Sequence, residues 1–477
     1  MTNLSDLFPA GAGKQVSFVA SGTLSNGQTV ALKNDGTVEA VGVTGGVGTP
    51  AIFEAAVSYY NEATFDSNAN KVVIAYSDAG NSNYGTAIVG TVSGTSISFG
   101  TPVVFATLYA QDMALTFDSS ANKVVIIYKG ASSYGTAIVG TVSGTSISFG
   151  ADNVFNSASS SEIGVTFDSN ANKVVLTYVD AGNSYYGTSI VATVSGTSIS
   201  FGTAVVFSAA SSAFTSIIFD SSANKVVINW RGNSSYGTAI VGTVSGTSIS
   251  FGTAVVYSAA STYYSATAFD STSNKVVIAY RDGGNSNYGT AIVGTVSSTS
   301  ISFGTPVVFE AARSEYIVVT FDSSANKVVI AYADYANSNY GTVIVGTVSG
   351  TSISFDSPVV FSTSNPTVPG SAIFDSSANK VVIAYRPSSN YGTSVTFSPP
   401  ASNNTSFIGI TDAAISSAAS GNVTIKGGIA INGLSSLTPG SDYYAQADGT
   451  ISTVSTSPAV KIGKAMSATS INLEYQS

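Results

Sequence analysis

The sequence predicts an all-β protein. It reads as a seven-bladed β-propeller of four-stranded blades closed by an N-terminal strand, plus a small β-barrel or sandwich domain built from both chain ends. Three observations carry this. A core of the form Phe-Asp-Ser-x-x-Asn-Lys-Val-Val-(Ile/Leu) starts at Phe65, Phe117, Phe167, Phe219, Phe269, Phe321 and Phe374. Its steps are 52, 50, 52, 50, 52 and 53 residues, a period that signals stacked or radially arranged units. Finally, the last copy stops after its third strand, and the missing segment stands before the first copy: residues 48–56 (GTPAIFEAA) match residues 304–312 (GTPVVFEAA). A strand borrowed this way would remove the open edges of a linear solenoid.

Residues 316–361 show the elements of one repeat. Residues 316–321 read as strand A, and Asp322 to Asn326 as a tight turn whose Asp and Asn favour local side-chain bonding. Strand B spans 327–332, a loop follows through Asp334 and Asn337, and strand C spans 340–348. A second tight turn at 349–351 leads into strand D at 352–361. Val, Ile, Thr, Tyr and Phe dominate, as a pleated and buried surface requires. No amphipathic helix is legible. The expected boundaries are 1–45 and 399–477 for the two parts of the terminal β-domain, and 46–398 for the propeller.

Composition narrows the function. Lys and Arg number 17 against 26 Asp and Glu, a net charge of −9, and no basic run marks a nucleic-acid surface. The absence of Cys and His removes thiol nucleophiles, disulfides, His-based triads and the usual zinc sites. No apolar run approaches the ~20 residues of a membrane helix. The N-terminus has neither a basic start nor an apolar stretch, so no signal peptide is expected.

Strand alternation puts the A–B and C–D turns on one face, and the B–C and D–A loops on the other. The B–C loop changes length repeatedly, spanning 8 positions in four copies and 6 in three, and the D–A loop varies most in sequence. Variable loops on a rigid scaffold are where binding residues gather. The position after strand B is Ser77, Lys129, Val179, Arg231, Arg281, Ala333 and Arg386, so every short-loop copy carries a cation there. The long-loop copies place Asp78, Asp180, Asp282 and Asp334 one residue later. Three of the four arginines hold this position, and the fourth, Arg313, lies in a D–A loop.

The candidate ligand-binding set is therefore Lys129, Arg231, Arg281, Arg313 and Arg386 with Tyr60, Tyr109, Tyr263, Tyr264 and Tyr316. Guanidinium forks suit carboxylates and phosphates, and tyrosines stack on sugar faces. The competing reading is a set of solvated loop charges paired between neighbouring blades. Asp78 to Tyr84 and its copies loosely resemble a calcium loop or an Asp-box, but polar turns explain them better. The repeated Asp after the motif Phe is a turn residue. Glu62, Asp112, Glu162 and Glu315 are non-repeated acids on the variable face, yet no acid–base pair of a glycosidase is legible. Trp230 replaces a strand-B Tyr.

The ends carry a family likeness. Residues 21–38 (SGTLSNGQTVALKNDGTV), 407–411 (FIGIT), 421–425 (GNVTI) and 437–469 (from LTPGSDYY through DGTIS to VKIGKAMSAT) resemble small β-barrel modules of tailed-phage virion proteins. Such modules occur in capsid-decoration, tail-fibre and knob proteins. The resemblance covers roughly a quarter of the chain, interrupted by the repeats. It implies a structural protein of the virion surface. The terminal domain would bind other virion proteins, the assembly would be a homo-oligomer, and the propeller would face a host-surface glycan. No enzymatic activity, cofactor, metal, nucleic acid or membrane insertion is expected. A sialidase-like or polysaccharide-depolymerising enzyme and a ligand-free fibre subunit are the alternatives.

Overall fold

The computed structural model describes residues 14–33, 35–365, 367–455 and 459–474. The chain is all-β; the helical elements among the described residues are single 3-10 turns of three residues. It divides into two compact units, Gly46–Pro399 and a second formed by Met1–Gly45 with Pro400–Ser477.

Each repeat in the larger unit is a sheet of antiparallel strands in the order A, B, C, D. Strand B begins at the motif lysine (Lys327–Asp334) and pairs with strand A on one side and strand C (Tyr340–Ser349) on the other. Strand B is the buried heart of the sheet: Val328, Val329, Ile330, Ala331 and Tyr332 are all fully covered. Strand D comes in two pieces, Ser352–Phe355 and Val359–Ser362, each paired with a different stretch of strand C.

In four repeats the expected D–A loops are not loops, in two they shrink to a single residue, and in the last a loop remains between Ser362 and Val368. Ala51–Asp66, Asn153–Asp168, Val255–Asp270 and Val307–Asp322 are single strands of 16 residues. The first half of each belongs to one sheet and the second half to the next. Val154 pairs with Thr136 of one repeat, while Ser160 to Asp168 pair with Asp180 to Lys173 of the following one. The backbone thus stays hydrogen-bonded while it changes sheets, which a loop could not do without leaving polar groups to water. The sheets remain open, and none closes on itself.

The motif has a local cause. In each copy the Asp Oδ1 accepts backbone N–H groups two and three residues on; for Asp220 these are Ser222 and Ala223, both at 2.9 Å. The motif Asn then takes a left-handed conformation (φ 52–55° at Asn70, Asn122, Asn172, Asn224, Asn274, Asn326 and Asn379), which Asn tolerates better than most residues.

Neighbouring sheets meet through aromatic rings. The strand-D aromatic of one repeat lies on the strand-B aromatic of the next: Phe105 on Tyr128 (5.3 Å), Phe207 on Trp230 (5.0 Å), Phe309 on Tyr332 (5.2 Å) and Phe361 on Tyr385 (5.2 Å). The segment before the first copy joins this pattern. Ala51 and Ile52 pair with Ser394 and Thr393 of the last strand C. Phe53 lies on Tyr76 at 5.2 Å, over Gly392, where a Cβ would come within 2.3 Å of the ring.

In the second unit, strands from both chain ends share one sheet. Its order is Gln15–Val19, Ser420–Ile425, Phe407–Thr411, Thr29–Leu32 and Val38–Ala40. A second sheet joins Ile429–Ala430, Ser470–Leu473, Val460–Ser467, Asp442–Ala445 and Ile451–Ser452. Ala31, Ile410, Ala445, Ile462, Ile471 and Leu473 pack in the core that the two sheets share. Gly27 and Gly36 take φ of 74° and 82° in the Asn-Gly and Asp-Gly turns.

The turn geometry sets a stability test. Asp220→Ala strips the acceptor from two N–H groups and should cost about 1–2 kcal/mol. Asp220→Asn keeps an Oδ1 and should lose clearly less in denaturant titrations. Equal losses for the two would show that the acceptor oxygen is not what holds the turn.

Candidate functional site

The pairing register confirms which segments share an end of each sheet. The A–B and C–D turns close one end, with Asp66 opposite Lys71 and Ser93 opposite Ser96. At the other end the last residues of strand B face strand A, and Tyr84 opens strand C opposite Asp78. The variable position lies inside strand B rather than after it. Lys129 pairs with Gln111, Arg231 with Ala213, Arg281 with Tyr263 and Arg386 with Val368.

Strand A then bulges. Its register slips between Tyr59 and Glu62, Ser161 and Gly164, Tyr263 and Ala266, and Glu315 and Val318. One residue of each bulge has a positive φ: Tyr60 (53°), Asp112 (44°), Glu162 (51°), Phe214 (51°), Tyr264 (50°) and Tyr316 (51°). The last copy differs: Pro369 stands five residues before its motif Phe, and the register slips across Gly370 with no positive φ at either residue. Bulges turn side chains away from the ladder and recur beside binding sites.

The bulges of successive repeats touch. Phe214 N donates to Glu162 Oε2 at 2.7 Å, and Ser265 Oγ donates to the Phe214 carbonyl at 2.8 Å. The Phe214 and Tyr264 rings lie 5.4 Å apart, and those of Tyr264 and Tyr316 lie 5.1 Å apart. Guanidinium groups cover this row. Arg231 stands 4.8 Å from the Phe214 ring and 5.0 Å from Tyr263, and Arg281 stands 4.2 Å from Tyr263 and 5.1 Å from Tyr264.

The predicted cations therefore divide by role. Arg281 and Arg313 both bind Glu315 Oε1, with Arg313 Nε at 2.9 Å, and Tyr335 Oη donates to Glu315 Oε2 at 2.9 Å. Glu315 is only 5% exposed and Arg281 11%, while Arg313 is 49% exposed and also covers the Tyr335 ring at 4.4 Å. Arg281 is thus a buried strut, and a negative ligand would have to compete with Glu315. Arg231 and Arg386 make no ion pair among the described residues; Arg386 lies 4.9 Å from the Tyr59 ring. Lys129 stands close enough to Asp112 to offset part of its desolvation.

The tyrosines spread over the same end. Tyr60 and Tyr109 are exposed neighbours, and burial with the adjacent Asp112 pushes the Tyr60 hydroxyl up to about 12. Burial also raises the carboxyls of Asp112 and Glu162, and the charge of Asp112 adds to the effect on Glu162. Glu62, partly covered and without a basic partner among the described residues, is pushed well above the usual carboxylate range by desolvation. Phe214, Tyr59, Tyr335 and the anchoring Glu315 complete the cluster. The Phe214 signal was present in the sequence, since it stands five residues before a motif Phe, as do Tyr60, Tyr264 and Tyr316.

The loop aspartates behave as turn residues. Asp78 Oδ1 accepts from Asn81 N, and Asp180, Asp282 and Asp334 accept from Gly182, Gly284 and Ala336. Trp230 is buried in the interface between repeats.

No known protein family matches the sequence, and no relative is found among curated proteins. Solved structures do match. The BP39L lectin of Burkholderia pseudomallei superposes with a TM-score of 0.55 at 11% identity, over 73% of this chain and 99% of that one. The periplasmic gluconolactonase PpgL of Pseudomonas aeruginosa gives a TM-score of 0.48 at 11% identity, over 73% of this chain and 96% of its own. AofleA of Arthrobotrys oligospora gives 0.42 at 11%, over 69% and 94%. The likeness to BP39L shows a β-propeller fold. Nothing in these matches supports a phage virion origin. The expectation that the chain is not an enzyme is corrected: a named enzyme stands beside a lectin among the similar structures, so the likeness gives no ground for excluding catalysis.

Two measurements test the electrostatics. Glu315→Ala leaves Arg281 buried without a partner and should cost about 3–5 kcal/mol. Adding Arg281→Ala should recover part of that loss, and strict additivity in the double-mutant cycle would show that the two do not interact. For Glu62, a raised folded-state value means stability is fully present below the ordinary 4.5 and is lost as pH rises through the folded value. Glu62→Gln should therefore raise the melting temperature more at pH 8 than at pH 4. An equal gain at both would show that the carboxyl is not desolvated.

Proposed function

We propose that this chain is a carbohydrate-binding β-propeller protein whose bulged face holds the ligand. The observation that carries the reading is the row Phe214, Tyr264 and Tyr316 with Arg231 on the face of the Phe214 ring. Aromatic faces take up the C–H side of a sugar, and guanidinium and carboxylate groups meet its hydroxyls. The BP39L likeness supports the reading, since that protein is a lectin.

The repeats, on this reading, close into a seven-bladed ring. Support comes from the A strands, each of which lies against the next, with the last (Val368–Asp375) against the first (Ala51–Asp66). The pairing of Ala51 and Ile52 with the last strand C and the seat of Arg386 on Tyr59 point the same way. The terminal unit would then be the attachment module. Its residue patterns are the basis for placing the protein as a homo-oligomer on a virion surface, bound to other virion proteins and facing a host glycan. The neighbouring carboxyls of Asp112 and Glu162 favour a second reading, in which the bound glycan is also cleaved.

A glycan array tests the first reading. Wild-type protein should bind a defined group of glycans, and Arg231→Ala and Arg386→Ala should each reduce the signal. Binding that survives both changes would move the site off this face, and an array without signal would end the proposal. Release of reducing sugar from a bound polysaccharide, lost in Glu162→Gln, is the result expected of the second reading.

A further inference from the structure

The repeats are nearly identical, but the bulge position is not. Its order along the chain is Tyr60, Asp112, Glu162, Phe214, Tyr264, Tyr316 and finally Pro369. Acids adjoin acids and aromatics adjoin aromatics. We propose that these positions form one asymmetric subsite that takes a single uncharged sugar ring per chain, centred on Phe214 and Glu162, rather than one site in each repeat. This deepens the carbohydrate reading above and rests on it.

The backbone does not ask for these side chains. A bulge with positive φ is met most easily by glycine, yet none of these six positions carries one. Bulky residues in the left-handed region cost of order 1 kcal/mol or more each, and they persist where the surroundings hold them. Six copies keep such residues, of three different chemistries. A set of equivalent sites would repeat its chemistry along with its scaffold. The junction of the two sectors joins an acceptor, a ring face and a guanidinium without an ion pair among the described residues. Glu162 Oε2 already accepts from Phe214 N, which fixes the carboxyl against the first aromatic of the row. Arg231 lies on that same ring and makes no ion pair among the described residues.

The chemistry selects the ligand. The Phe214–Tyr264 surface suits the apolar face of a pyranose. The Glu162 carboxyl, which has room for more than one donor, accepts from one hydroxyl, while Arg231 donates to its neighbour. Asp112 and Glu162 stand together in a desolvated setting where Lys129 and Arg231 offset part of their charge, and a third negative charge would compete for those two cations. Arg281 and Arg313 offer little relief because Glu315 holds them. Uronic, sialic and sulfated sugars are therefore disfavoured, and a neutral ring with adjacent hydroxyls is favoured.

Isothermal titration of the full chain tests this, with the methyl glycosides of mannose, galactose and glucose as neutral probes. N-acetylneuraminic acid and glucuronic acid serve as charged ones. The expected result is one site per chain for a neutral probe and weaker binding of both acids. Phe214→Ala and Glu162→Gln should each weaken the neutral probe by about tenfold. Phe214→Leu, which keeps bulk without a ring, should weaken it as well, while Ser67→Ala, at an exposed A–B turn on the opposite end of the sheets, should not. Several sites per chain, tighter binding of an acid, or wild-type affinity in both Phe214 variants would overturn this inference and leave the carbohydrate reading standing. Failure of every saccharide to bind would overturn both.

Discussion

One contact recurs at each junction between successive sheets: an aromatic ring from a strand D resting on an aromatic ring from the next strand B. The centroids lie 5.0–5.3 Å apart at every such junction, in tilted or edge-on geometry. Each ring needs room, and strand C supplies it with a glycine. A Cβ at Gly85, Gly135, Gly187, Gly237, Gly289, Gly341 or Gly392 would stand 2.3–2.6 Å from the ring above it. The near-identity of the repeats follows. A sheet that departs from the pattern damages two junctions, so the strand-B core and the glycine recur while residues outside the junction are free to differ.

The same constraint explains why the recognition chemistry gathers at one end. The A–B turn end is fixed by an aspartate that satisfies two N–H groups and by an asparagine in a left-handed position. At the opposite end the chain crosses between sheets as a continuous strand in four repeats and with a one-residue break in two more. The bulge there lets a side chain leave the ladder without breaking the flanking pairs. Residues at the bulge touch the next bulge rather than the junction core, as Phe214 does with Glu162 and Tyr264. They can change without disturbing the aromatic contacts.

Much of this was legible in the sequence because local chemistry determines it. The motif gives the A–B turn from Asp and Asn alone, and strand B from its run of β-branched residues. The two faces follow from strand alternation and from loop-length variation. The D–A passage was not legible as strand. Val57, Ser58 and Tyr59 in one copy, or Arg313, Ser314 and Glu315 in another, show no alternation that marks pairing, since each passage serves two sheets in turn. The division of labour among the arginines was hidden for a different reason. Arg281 and Arg231 hold equivalent positions, and only the neighbour across the next repeat separates them: Glu315 for one, ring faces for the other. Pairing of that kind spans 34 residues and depends on the packed geometry.

Charge placement completes the contrast between the ends. The motif sets seven aspartates opposite seven lysines in register, from Asp66 and Lys71 to Asp375 and Lys380. That end is therefore balanced copy by copy, and it offers any ligand the same surface in each. Taking these fourteen residues from the chain leaves 10 basic and 19 acidic groups, since 17 − 7 = 10 and 26 − 7 = 19. The bulged end draws on this remainder unevenly. Arg281 and Arg313 share one glutamate, Lys129 stands by Asp112, and Arg231 and Arg386 rest on aromatic rings. A guanidinium on a ring face keeps its hydrogen-bond donors free while its charge is partly met by the ring. Selectivity on such a surface comes from hydroxyl geometry and ring contact more than from net charge, and it differs from repeat to repeat because the bulge residues do.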